Sequence, residues 1–232
     1  MLKPKKGLSK REMKEDKLVT SYFKTRTWIE ANRRLVSYIV AVPVILLAVF
    51  WFVENNRRQS NERATTDLAK VFSLYDQGQY QLAIDGIPQE NIRGLQSIVD
   101  DYGSTHSGEM AKLYLADSYF NLHQYAKALK YFQGVDLGDK LLSSSALAGE
   151  AACYEAQGNH EDAANLYEQA ASKYMTALEA PNDLFKAASN FSLAGNKNKA
   201  ADMLHRIKKE FPTSTYARDI DRYLAEFGCL AG

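Results

Sequence analysis

The chain has 232 residues, 46% of them hydrophobic and 25% charged, and its net charge of +1 conceals an asymmetry. Residues 1–34 hold 11 Lys/Arg against 4 Asp/Glu, while the remainder holds 18 against 24, a net of −6. That negative remainder argues against a nucleic-acid partner, which requires basic surface, and two cysteines do not make a disulfide framework.

Residues 1–15 are Lys-rich and include Pro4 and Gly7, the profile of a solvated, largely disordered tail. From Asp16 the pattern changes to Leu18, Val19, Tyr22, Phe23, Trp28 and Ile29 with basic residues between them. Two readings stand for this stretch: a helix on an anionic leaflet or a partner, and a flexible basic lead-in.

The run LVSYIVAVPVILLAVFWFV occupies residues 35–53, from Leu35 to Val53, without one charge. About 20 apolar residues at roughly 1.5 Å rise each are what a helix needs to cross a hydrocarbon core. A buried soluble helix is disfavoured because the run is apolar all round. A cleaved signal peptide is disfavoured because the head is too long and VENNRRQS offers no small-x-small site. Pro43 near the middle is compatible with a bilayer helix whose freed carbonyl finds another partner. Trp51 and Tyr38 fit interfacial positions only loosely. The basic flank predicts a cytoplasmic head at residues 1–34, a transmembrane helix at 35–53 and residues 54–232 across the membrane. The exit, residues 54–61, lacks Gly and Pro, so the anchor helix is expected to run on into the next one.

From residue 61 onward the periodicity is helical almost throughout, with no alternating β-branched run. Three segments, HQYAKALKYFQGV, GNHEDAANLYEQA and GNKNKAADMLHRI, coincide when aligned on a glycine-like turn position and the alanine five residues on. These alanines are Ala128, Ala163 and Ala200, spaced 35 and 37 residues apart. Twelve residues before them stand Ala116, Ala151 and Ala188; nine before, Tyr119, Tyr154 and Phe191; four after, Phe132, Tyr167 and Leu204. A small residue on each helix of a pair lets two backbones approach closely, and the large residue fills the space beside the contact. The arrangement resembles the tetratricopeptide repeat, a helix-turn-helix unit of about 34 residues. Phe211-Pro212 stands where that family places its terminal proline. Lys112 and Glu150 depart from the pattern by occupying usually apolar positions.

A degenerate copy lies upstream, with a first helix at about residues 62–77, GQY, Ala83, an interruption DGIPQEN and a second helix at about 92–102. Ala83 precedes Ala128 by 45 residues, an insertion of about ten, as suits a terminal repeat with one neighbour. After Pro212, a Thr/Ser cap precedes Tyr216, Ile220, Tyr223, Leu224 and Phe227 on one helical face, expected to cover the open end of the stack. The expected fold is all-α: a single transmembrane helix, then a helical-hairpin solenoid of about three clear repeats, one degenerate repeat and a C-terminal capping helix.

Motifs of catalysis and cofactor binding are missing from the sequence. His106, His123, His160 and His205 fall at unrelated repeat positions and outside any metal-ligand spacing. No GxSxG, phosphate-binding loop or GxGxxG occurs. Acidic pairs such as Asp100-Asp101 read as solvated charge. Cys153 reads as a small apolar helix residue, and the sequence leaves open a bridge between it and Cys229. The expectation is therefore a non-enzyme without cofactor, metal or small-molecule substrate.

What remains is a surface. Stacked helix pairs present a concave face suited to extended or helical peptides. The repeat resemblance places on it Leu113, Asp117, Phe120 and Asn121 in one repeat, Ala148, Ala152 and Glu155 in the next, and Phe185, Ser189 and Ser192 in the third. Leu113 and Phe120 are equally compatible with packing on the neighbouring repeat.

The order of parts also resembles a bacterial family. The head KEDKLVTSYFK, one anchor, LQSIVDDYG, KLYLADSYFNLHQYAKALKYF and IKKEFPTSTYARDIDRYL together resemble the YfgM-like tetratricopeptide repeat proteins of the cell envelope. That resemblance implies an inner-membrane protein facing the periplasm, ancillary to the Sec translocon and to periplasmic chaperones. Its implied partners are other proteins and the lipid bilayer. Two functions stay open: a module that binds translocated polypeptides, and a structural subunit or assembly factor of one membrane complex.

Overall fold

The computed structural model describes residues 10–135, 138, 140–173 and 179–229, with side chains from Thr20 onward. The chain divides into two compact units, residues 1–56 and 57–232.

The first unit holds α1 (Lys10–Ala31) and the start of α2 (Arg33–Asp76). Residues 10–15, expected as disordered tail, are helical; residues 1–9 lie outside the described residues. Among the described side chains of α1, Tyr22, Phe23, Trp28 and Ile29 stand exposed. Helix α2 is long and apolar enough to cross a membrane. Its apolar side chains, among them Ile39, Leu46 and Trp51, stand exposed, as a lipid-facing segment requires and a buried soluble helix does not. Pro43 lies inside the helix without ending it.

The second unit begins within α2, which runs without interruption to Asp76. It continues through α3 (Tyr80–Asp85), α4 (Leu95–Tyr102), α5 (His106–Asn121), α6 (Tyr125–Gln133), α7 (Lys140–Ala156), α8 (His160–Lys173), α9 (Ala180–Leu193), α10 (Lys197–Glu210) and α11 (Ile220–Glu226). From α4 to α10 each helix packs on the next in sequence, and α5 also packs on α7. This is the nearest-neighbour architecture of a helical solenoid. The repeat alanines decide the packing: Ala116, Ala128, Ala151, Ala163, Ala188 and Ala200 are all 0% exposed. Phe132, Tyr167, Phe191 and Leu204 are buried beside them, and in the degenerate copy Val71 and Ala83 hold the equivalent places.

Two cores result. One gathers Ala64, Val71, Leu95, Ile98, Leu115 and Cys153; the other gathers Ala151, Tyr167, Leu184, Phe191, Ile207 and Ile220. Cys153 and Cys229 are both free.

Both departures from the repeat pattern are satisfied by hydrogen bonds. Lys112 Nζ donates to Glu109 Oε1 at 2.7 Å and to the Gly134 carbonyl at 2.8 Å. Glu150 accepts from Gln133 Nε2 at 2.9 Å.

The insertion in the degenerate copy, expected as an interruption between its two helices, is itself structured. Strands β1 (Gly86–Ile87) and β2 (Ile92–Arg93) pair antiparallel around a 3-10 turn, Pro88–Glu90. Gly94, following β2, lies so close to the Ile84 carbonyl that a Cβ would collide with backbone. Arg93 fastens the hairpin to its surroundings: it pairs with Asp101 and Asp67 and donates to the Tyr102 hydroxyl at 3.1 Å. Asp101 is therefore an anchor for the insertion as well as a solvated charge.

Candidate interaction surface

Of the first helices, α5 and α7 pack on each other, and the chemistry of the first-helix faces differs along the series. At the N-terminal end of the second unit, α2, α3 and α5 bring together four aromatic rings. Phe72 lies 5.3 Å from Tyr114 and 5.8 Å from Tyr75, while Tyr75 lies 4.8 Å from Tyr114 and 5.9 Å from Tyr80, between ring centroids. Phe72 is 38% exposed, although an aromatic side chain gains most by burial.

Asp117 sits at the edge of these rings. Its Oδ2 accepts from the Tyr75 hydroxyl at 2.8 Å and from Asn121 Nδ2 at 2.9 Å. Burial, reinforced by the bond to Asp117, pushes the Tyr75 phenol well above its usual range, so it stays protonated and donates. Asn121 is exposed, Phe120 is half-buried with its ring 5.4 Å from Tyr125, and Leu113 packs against the first core.

Farther along, the face is small and then closed. Ala148 and Ala152 pack against the second core, and Glu155 accepts from the Tyr167 hydroxyl at 2.9 Å. Phe185 is covered by the chain's own C-terminal segment, its ring 4.8 Å from Tyr216, 4.7 Å from Tyr223 and 5.7 Å from Phe227. The Ser192 hydroxyl donates to the Phe227 carbonyl at 3.0 Å and accepts from Lys197 Nζ, while Ser189 is half-buried. Of the ten residues placed on this face by the repeat pattern, the structure therefore puts Asp117, Phe120 and Asn121 beside open aromatic surface and puts Phe185 and Ser192 beneath the C-terminal segment.

Phe72 and Tyr75 escaped the sequence reading because the insertion broke the register of the degenerate copy, whereas Tyr114 stands in α5 beside Leu113, the residue that the repeat pattern selected instead. A clue exists: Phe72 precedes Ala83 by the same interval as Asp117 precedes Ala128.

Burial pushes the Cys153 thiol up to about 12, far from the thiolate that a nucleophile needs. Among the described residues no three His, Cys, Asp or Glu are grouped to hold a metal ion. His106 and His160 open helices α5 and α8, His123 lies in a turn and His205 lies within α10.

Comparison with family models supports the repeat reading. The tetratricopeptide repeat model matches residues 149–174 and 184–214, the second and third repeats. Neither the curated proteins nor the solved structures compared with the chain give a match. Tetratricopeptide repeats are in general non-catalytic scaffolds that bind other proteins.

Proposed function

We propose that the chain is a single-pass inner-membrane protein with residues 1–34 cytoplasmic, residues 35–53 in the bilayer and residues 54–232 periplasmic. Its repeat domain serves as a protein-binding module ancillary to protein translocation or periplasmic chaperoning. The observation that carries this reading is the coupling, in one chain, of a membrane-length apolar helix with repeats whose N-terminal end exposes aromatic surface. The basic head supports the orientation. The translocon and chaperone association comes from the overall resemblance to the YfgM-like proteins, and the bilayer and other proteins are its partners.

A second reading, an accessory subunit or assembly factor of one membrane complex, is favoured by the closed third repeat. There the C-terminal segment already covers Phe185, which leaves less open groove for passing clients.

Pull-down in mild detergent with mass spectrometry separates the two, using wild type, Phe72→Asp and a variant with residues 35–53 replaced by an unrelated membrane span. Loss of many substoichiometric partners together in Phe72→Asp supports the client module. One stoichiometric complex that survives Phe72→Asp but is lost on replacing the span supports the accessory subunit. Orientation is read from protease digestion of inverted inner-membrane vesicles. Protection of residues 54–232 is expected, and their cleavage overturns the periplasmic assignment.

A further inference from the structure

We infer that the Phe72–Tyr75–Tyr114 rings and the Asp117 carboxylate form a receptor for an arginine or lysine side chain of a bound polypeptide. The inference rests on the polypeptide-binding reading above and names the chemistry that this surface selects.

Three observations carry it. The ring centroids lie 4.8 Å (Tyr75 to Tyr114), 5.3 Å (Phe72 to Tyr114) and 5.8 Å (Phe72 to Tyr75) apart, with Phe72 exposed. An aromatic face attracts a cation placed over it. Both hydrogen bonds to Asp117 from neighbouring side chains fall on Oδ2, and no described residue donates to Oδ1. The carboxylate is therefore oriented through Oδ2, and among the described residues Oδ1 has no donor, which leaves it for a ligand. Among the described residues, no salt bridge reaches Asp117, and no lysine or arginine lies over these three rings. Six other described rings carry one of the chain's own cations, at Tyr102, Tyr119, Tyr131, Tyr167, Phe191 and Tyr223.

The covered end of the same domain shows the completed arrangement. Around Phe185 the aromatic cluster includes Tyr223, and Arg222 lies 4.5 Å above that ring while pairing with Asp219 at 3.2 Å. There the cation, the ring and the carboxylate all come from this chain. At the N-terminal end the rings and the carboxylate are present, so the matching cation is supplied by the partner. Arginine fits best, because a planar guanidinium can stack on one ring while its fork reaches Oδ1.

The test uses the full chain in phosphatidylcholine nanodiscs, with empty nanodiscs as the blank. Fluorescence anisotropy measures binding of a short labelled peptide that alternates leucine and arginine, and of its analogue carrying citrulline at each arginine. Citrulline keeps the planar shape and removes the charge. Wild type is expected to bind the arginine peptide about tenfold more tightly, the size of a partly desolvated cation–π contact joined to a carboxylate. Asp117→Asn is expected to abolish that preference. Phe72→Leu, which keeps apolar contact at an exposed site, is expected to reduce the preference several-fold. It provides the second readout where Asp117→Asn proves poorly folded by circular dichroism. Equal binding of both peptides by wild type overturns the inference and leaves polypeptide binding standing, as does a preference that survives both substitutions. Failure of wild type to bind either peptide overturns both readings.

Discussion

His123 occupies the turn position that the other repeat turns give to glycine. Its φ is 58°, beside 80° at Gly158 and 82° at Gly195, and a bond from Gln124 N to the Tyr119 carbonyl at 2.9 Å closes the same helix end. A residue with a Cβ is strained there by roughly 1–2 kcal/mol, offset in part by the greater chain entropy that glycine loses on folding. His123→Gly should therefore stabilise the protein by up to about 1 kcal/mol, raising the melting temperature by about 2–4 °C. The exposed bond between His123 Nδ1 and the Tyr125 hydroxyl is too weakly protected to reverse the sign. Asp183 sets a pH dependence. It is 5% exposed in the first turn of α9, and burial raises its carboxyl from 3.8 to about 6, opposed by Lys186 and helped by Glu179. The folded protein thus holds this proton more tightly than the unfolded chain does, and stability falls as pH rises from about 4 to about 6. Above that window the buried charge costs on the order of 2–3 kcal/mol. Asp183→Asn should remove this fall and melt higher than wild type at pH 7.5. A melting difference that stays constant between pH 4 and 7 would show that burial of this carboxyl does not set the trend.

At the scale of elements, the insertion hairpin depends on one side chain. Two paired residues per strand do not stabilise a sheet alone, so the pairing of Gly86 with Arg93 and of Ile87 with Ile92 leans on what Arg93 grips. Its partner Asp101 is 55% exposed, whereas Asp67 on α2 is only 17% exposed. The exposed pair contributes little, because water screens it. Arg93→Met should cost about 1 kcal/mol. Hydrogen exchange of residues 86–93 should rise while α9 and α10 are unchanged; unaltered exchange in the hairpin would assign its order to Gly94 and the turn instead. The hairpin also marks where sequence ceases to be legible. The six repeat alanines could be read directly, because close helix packing demands small volume at a fixed period. Two-residue strands carry no period to read. The link between Tyr75 and Asp117 spans 42 positions across an insertion, so no local pattern announces it. Phe185 was legible as a first-helix surface residue. The capping helix was legible as well, but not that Tyr216, Tyr223 and Phe227 would close over Phe185, because the pattern gives faces and not the contacts between them.

The repeat domain as a whole is built from two cores that meet in α7. Ala151 belongs to the core shared with α8–α11 and Cys153, two residues on, to the core shared with α2–α6. Because each helix packs mainly on its sequence neighbours, a perturbation should weaken its own end of the stack first and spread with distance. Phe185 is a suitable probe, since its ring joins α9 to Tyr216, Tyr223 and Phe227. Phe185→Ala removes that junction, at a cost of about 3 kcal/mol. Hydrogen exchange followed by mass spectrometry should then accelerate in α9–α11 while the amides of α4 and α5 keep wild-type protection. The surface around Phe72 lies in the protected half, so its peptide binding should survive this substitution. Uniform acceleration through α4–α11 would mean that the two cores unfold as one cooperative unit and that α7 couples them. In that case the aromatic surface at one end would respond to whatever loosens the C-terminal cap at the other.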